Sequence, residues 1–167
     1  MEAGDGFHQF LWTNDVFDRQ LKFMGKLAVR YEYDSNHGDL LFFQASDGSH
    51  GYELFASDGT EKGTGMVKDI NPNSGDSDPW EMYDILGTLY FSAYDPTYGR
   101  ELWRSNGTAS GTERVADINT NSDHDSSPRL MTLVGDYIYF DASDDIKGGE
   151  LWGLKVRETV YLPFIVK

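Results

Sequence analysis

The stretch FFQASDGSHGYELFASDGT, residues 42–60, lies over YFSAYDPTYGRELWRSNGT, residues 90–108, at an offset of 48 residues. The register carries through Ala45/Ala93, Asp47/Asp95, Glu53/Glu101, Gly59/Gly107, Gly63/Gly111, Val67/Val115 and Asp69/Asp117. A third copy opens at YFDASDDIKGGELW, residues 139–152, displaced by 49 residues from the second. FLWTND, residues 10–15, reads as the end of an earlier copy. Matching this dense at a fixed period marks tandem structural units.

Within one period the second copy carries four strand-length signals: LYFSAY (89–94), RELWRS (100–105), TERVADI (112–118) and RLMTLV (129–134). Each is rich in aromatic or branched residues. Asn106-Gly107 and its counterpart Asp58-Gly59 supply the positive φ of a tight turn, so the second and third signals form a hairpin. The first signal is a nearly continuous apolar run, LLFF at 40–43 and YIYF at 137–140, as expected of a strand buried on both faces. No segment sustains a 3.6-residue period, so no helix longer than a turn is expected. Four-stranded sheets with two faces to bury are satisfied by radial stacking. The expected fold is therefore all-β, a β-propeller of four-stranded antiparallel blades with a 48–49-residue repeat.

The expected organisation is one propeller domain, or a propeller fragment, over residues 1–167. Its units are approximately 1–40 (partial), 41–88, 89–137 and 138–167 (partial). TVYLPFIVK at 159–167 is β-prone and reads as a closing strand, with Pro163 tolerable at an edge. Strand signals fall about two short of four complete blades, the lower limit for propellers. Open blade edges would then invite self-association.

GYELFASDGTEKGTGMVKDI (51–70) and GRELWRSNGTASGTERVADI (99–118) resemble the ELWxxDGT repeat family. The resemblance is fullest over residues 40–152. It implies tandem, propeller-like repeats of bacterial secreted or surface proteins, hence an extracellular or cell-surface location, and it carries no active site. The sequence departs from the pattern with Phe55 for the Trp, Asn106 for the Asp, and Phe10 where a Glu would precede Leu11-Trp12. Chemistry rarely tolerates such exchanges, so these side chains are expected to be structural. MEAGDGFHQFLW at the start has no basic region followed by an apolar run, so the export signal is expected outside this sequence.

With 28 Asp and Glu against 14 Lys and Arg, the formal charge is −14, spread along the chain. That balance disfavours nucleic acid and anionic membranes as partners. Apolar residues at 39% and aromatics at 14% suffice for a core. The absence of cysteine excludes disulfides, a thiol nucleophile and Cys-ligated zinc. No stretch approaches the length of a membrane span, so no insertion is expected. The expected function is a non-catalytic binding, adhesion or scaffolding module whose partner is a protein or carbohydrate. The alternatives are a lectin-like propeller and, behind it, a propeller of the glycoside hydrolase type.

The acidic connections DINPNSGDSDP (69–79) and DINTNSDHDSSP (117–128) are the candidate metal sites. Asp69, Asn71 and Asn73, like Asp117, Asn119 and Asn121, place oxygens at alternate positions of a loop, the arrangement that converges on calcium. The calcium-loop pattern is incomplete, with Ser74 or Ser122 at the sixth position and no Glu at the twelfth. Turn-making is the competing reading. Glu53, Glu101 and Glu150 recur at one strand position; catalytic pairs break symmetry, so the repetition points to a structural role. Trp80 is unique to one copy, and beside Tyr83 it is a candidate platform for a sugar ring. Trp12, Trp103 and Trp152 read as blade packing, and the four His stand in unrelated contexts without ligand spacing.

Overall fold

The computed structural model describes residues 28–31, 36–37, 40–121 and 124–156. The expected partial copy at 10–15, with Trp12, and the expected closing strand at 159–167 lie outside the described residues. The described residues form strands and no helix: β1 (Ala28–Tyr31), β2 (Asn36–His37), β3 (Leu40–Ser46), β4 (Glu53–Ser57), β5 (Gly65–Lys68), β6 (Trp80–Ile85), β7 (Thr88–Asp95), β8 (Gly99–Ser105), β9 (Glu113–Arg114), β10 (Arg129–Val134), β11 (Tyr137–Asp144) and β12 (Gly148–Lys155). They make three antiparallel sheets in succession: β1-β3-β4-β5 with β2 beside β3, then β6-β7-β8-β9, then β10-β11-β12.

The middle strand of each sheet explains the stacking. In β7 side chains alternate between the two faces. Leu89, Phe91 and Ala93 pack with Phe42, Leu54, Ala56 and Val67 of the first sheet. Tyr90, one residue out of phase, packs with Ile138, Phe140 and Ala142 of the third. One strand thus supplies two interfaces, which is why its apolar run is continuous. Phe42, Leu54, Leu89 and Phe91 are fully buried, and each contributes about 1.5–3 kcal/mol relative to an exposed side chain. The hairpin between the second and third signals forms as expected, with Phe91 opposite Trp103 across β7 and β8.

Two features differ from the sequence reading. The fourth signal of a period does not complete the sheet that the first three build: RLMTLV is β10 and begins the third sheet, as β6 begins the second. A repeat unit therefore straddles two sheets. TERVADI is also shorter than expected, with only Glu113–Arg114 in strand. The Val115 N–H still donates to the Leu102 carbonyl at 2.8 Å, but the amides of Ile118 and Asn119 turn away to a side chain of β8. The third sheet has three strands among the described residues rather than four. No helix among them is long and apolar enough to cross a membrane.

Candidate functional site in the turns and acidic connectors

The repeated Ser-Asp-Gly-Thr turn spends its polar atoms on itself. Gly59 and Gly107 hold φ of 85° and 86°, a conformation that disfavours any side chain. The Asp58 carboxylate accepts from the backbone N–H and the hydroxyl of Thr60, at 2.9 and 2.7 Å. Thr60 Oγ1 in turn accepts from Gly63 N–H, and the Thr64 hydroxyl donates to the Thr60 carbonyl. Asn106, Thr108, Gly111 and Thr112 reproduce the set. A Cβ at Gly63 or Gly111 would stand 2.0 Å from the Asp58 or Asn106 side chain, so glycine there is required by the close approach. The Thr60 contacts hold Asp58 below its ordinary pKa.

The recurring glutamate has a different task. Glu53 is fully buried on β4 and accepts the backbone N–H groups of Ile70 and Asn71, at 3.0 and 3.1 Å. It also takes the Ser77 hydroxyl at 2.6 Å and the Ser77 N–H at 3.2 Å. Glu101, equally buried on β8, receives Ile118, Asn119 and the Ser126 hydroxyl at 2.9, 3.1 and 2.8 Å. Each carboxylate therefore fastens the connector that leaves its own sheet for the next one. The connector passes the hold on, since the Ser77 carbonyl accepts Tyr94 N–H from β7 and the Ser126 carbonyl accepts Ser143 N–H from β11. Burial pushes the Glu53 carboxyl up to about 7, against the pull of Ser77, Ile70 and Asn71. Burial likewise raises Glu101.

No family model, curated protein or solved structure matches the chain.

The loop from Asp69 is wired internally. Asn71 donates its amide to the Asp76 carbonyl at 2.9 Å, Asn73 N–H reaches Asp69 Oδ2 at 3.4 Å, and Asp69 Oδ1 is buried without a hydrogen-bond partner. In the loop from Asp117, Asn119 and Asn121 both donate to Asp145 across the connector, at 3.3 and 2.9 Å. His124 meets the same carboxylate at 2.7 Å. Asn121 and His124 hold Asp145 below its ordinary pKa. Asp117 itself pairs with Arg114 at 3.4 Å. The side-chain amides of Asn71, Asn119 and Asn121 thus act as donors. Among the described residues no group of three or more His, Asp or Glu is arranged to hold a metal ion.

Trp80 and Tyr83 share the face of β6 that looks toward the third sheet, opposite Ser92 and Tyr90 of β7. Tyr83 packs against the second core cluster, and its hydroxyl donates to Glu81 at 2.7 Å. Glu81 also accepts Leu130 N–H of β10 at 3.0 Å, linking the first strands of two sheets. Tyr83 is therefore engaged in packing. Trp80 is half-buried, with the Arg100 guanidinium 6.0 Å from its ring centre. Trp103 is buried, whereas Trp152, expected as blade packing, is only half-buried and donates Nε1 to the Ala142 carbonyl. Ser77 and Ser126, which complete the glutamate contacts, fall outside the 48-residue register of the repeat. A step of 49 residues at SDP and SSP, just before Pro79 and Pro128, was the available signal.

Proposed function

We propose that the chain is a non-catalytic β-propeller module of the ELWxxDGT type, working outside the cell or at its surface in binding, adhesion or scaffolding. The observation that carries this reading is the fate of Glu53 and Glu101. They are the carboxylates buried at the repeated strand position, and both are saturated by connector N–H groups and serine hydroxyls. The same holds for the turn residues, whose oxygens are spent within the turn. Three sheets stacked face to face, with the first and second each sending its connector to the first strand of the next, support a radial arrangement of blades.

A lectin-like role rests on Trp80 beside Arg100, the half-buried aromatic that the repeat does not require. One experiment separates the readings. The purified chain and Trp80→Ala are applied to a glycan array and to immobilised extracellular-matrix proteins, alongside a turnover assay on chromogenic glycosides. Protein capture unaffected by Trp80→Ala supports the adhesion module, and glycan signal abolished by it supports the lectin. Glycoside turnover abolished by Glu101→Gln, with the fold retained, would overturn both. Localisation is checked by antibody labelling of intact producing cells and their medium; signal confined to the cell interior overturns the extracellular assignment.

A further inference from the structure

We propose that Asn106 is a self-modification site, at which the chain converts its second turn to the acidic form that the first turn already has. Asn106 is the one asparagine followed by a glycine, and it is exposed. Its side-chain carbonyl is folded back over the turn, where Oδ1 accepts the Thr108 N–H at 3.1 Å and the Thr108 hydroxyl at 2.8 Å. Both donors meet the oxygen on which negative charge gathers when a nucleophile adds to Cγ, and donors placed there in advance lower the barrier to addition. The nucleophile is the next backbone nitrogen. Gly107 N–H donates to Ser105 Oγ at 3.0 Å, a bond in the peptide plane that leaves the faces of the nitrogen, through which it attacks, unengaged. Ser105 Oγ is 2.7 Å from Thr112 Oγ1, whose own proton goes to the Thr108 carbonyl. Ser105 therefore donates to Thr112 and keeps a lone pair for Gly107.

In the first step the Gly107 nitrogen gives up its proton and bonds to Asn106 Cγ. The Cγ–Nδ2 bond breaks and Nδ2 leaves as ammonia with that proton, closing a succinimide. Water then adds to Cγ, the bond from Cγ to the Gly107 nitrogen breaks, and the nitrogen regains a proton. A carboxylate remains at position 106, with one water consumed and one ammonium released. The first turn displays this product. Asp58 accepts the same N–H and hydroxyl from Thr60, at 2.9 and 2.7 Å, and Gly59 N–H donates to Ser57 as Gly107 N–H does to Ser105. Gly63 and Gly111 leave the same space for the side chain. A carboxylate at 106 thus needs no rearrangement. Opening the ring at its other carbonyl would instead insert Cβ of residue 106 into the main chain. The hairpin is pinned in register beyond the turn, by Trp103 against Arg114 and Arg104 against Glu113, and leaves no slack for the added atom.

The folded chain and a synthetic peptide of residues 105–114 are incubated side by side at about pH 7 and about pH 9. Trypsin then releases the same peptide from the chain, because Arg104 and Arg114 bound it. Mass spectrometry with electron-transfer fragmentation measures acid at 106 and separates aspartate from isoaspartate. Conversion is expected to rise with pH, to run at least as fast in the chain as in the peptide, and to outpace Asn73 and Asn121, each of which precedes a serine. Aspartate should predominate in the chain. Thr108→Val should slow conversion roughly fivefold, the worth of about one hydrogen bond, and Thr108→Ser should restore it. If Thr108→Val does not fold, the ratio of chain to peptide rates decides. Asn106→Asp should melt within about 2 °C of the wild type. Asn106 intact in the chain while the peptide converts overturns the proposal, since the turn then protects it. Equal rates in wild type and folded Thr108→Val, isoaspartate as the main product, or a marked loss of stability in Asn106→Asp would each overturn it as well.

Discussion

Glu101 and Glu150 occupy the same place in successive copies, yet they live in different worlds. Glu101 is buried and holds two connector amides and a serine. Glu150 is half-exposed, and Lys147 approaches it at 3.4 Å. The same division runs through the neighbours. Side chains turned toward the preceding sheet are alike in the two copies, with Phe91 at 0% and Phe140 at 4% exposure. Those turned toward the following sheet are not, with Tyr90 at 5% and Tyr139 at 37%. A motif in this chain therefore specifies half of its own environment. The other half is supplied by whichever sheet comes next.

The largest test of that difference pairs the tryptophans. Trp103→Ala, deep in the cluster between the first two sheets, is expected to lose ~3–5 kcal/mol in urea unfolding. Trp152→Ala, half-exposed, should lose only ~1–2 kcal/mol. Equal losses would mean that the third sheet is packed as fully as the second and would break the comparison.

The glutamates come next. Glu101→Ala strands the Ile118 and Asn119 amides and the Ser126 hydroxyl in a buried site, and about 3 kcal/mol is expected from that desolvation. Glu150→Ala should stay within about 0.5 kcal/mol, as surface changes do. A comparable loss at Glu150 would reveal a connector-like partner for it.

A smaller effect follows from protonation. Burial raises Glu53 to about 7 from 4.5, so the folded state holds this proton more tightly than the unfolded chain does. Its contribution is full below pH 4.5 and is lost as pH rises toward 7. Asp47, lowered to about 2 chiefly by the His50 backbone N–H, acts in a separate window, losing its contribution as pH falls below 3.8. The urea midpoint of the wild type should therefore decline between pH 4.5 and 7 more steeply than that of Glu53→Gln. Parallel profiles would remove the carboxyl from the account.

The smallest effect expected is that of calcium. The amides of Asn71, Asn119 and Asn121 are committed to Asp76 and Asp145, so calcium and magnesium at matched ionic strength should shift the melting temperature alike, within about 1 °C. A calcium-specific rise that vanishes in Asp69→Ala/Asp117→Ala would assign the connectors as metal sites.

Much of this architecture was legible in the sequence because it is local. Tyr90 to Trp103 is a hairpin whose turn residues and β-branched and aromatic strands announce themselves, and the repetition of Glu53 and Glu101 marked them as structural. The phase of the sheets was not legible. Whether RLMTLV closes one sheet or begins another depends on a connector captured by a carboxylate some twenty residues upstream, and periodicity is blind to such contacts. β9 ends at Arg114, two residues short of its counterpart β5, although Glu53 takes the same two amides that Glu101 takes, so the glutamate does not set its length. The packing of Tyr83 against the cluster between the second and third sheets was not legible either, because it depends on the neighbouring sheet.

The glutamate contacts also give the stack a direction. Glu53 and Glu101 each grip chain that lies downstream, and Ser77 and Ser126 hand that grip to the following sheet. Order is inherited from the N-terminal side: loosening Glu53 releases the path into β6 and weakens everything after it, while loosening Glu101 spares the first sheet. Two substitutions of identical chemistry should thus leave unequal wreckage, the earlier one always the greater.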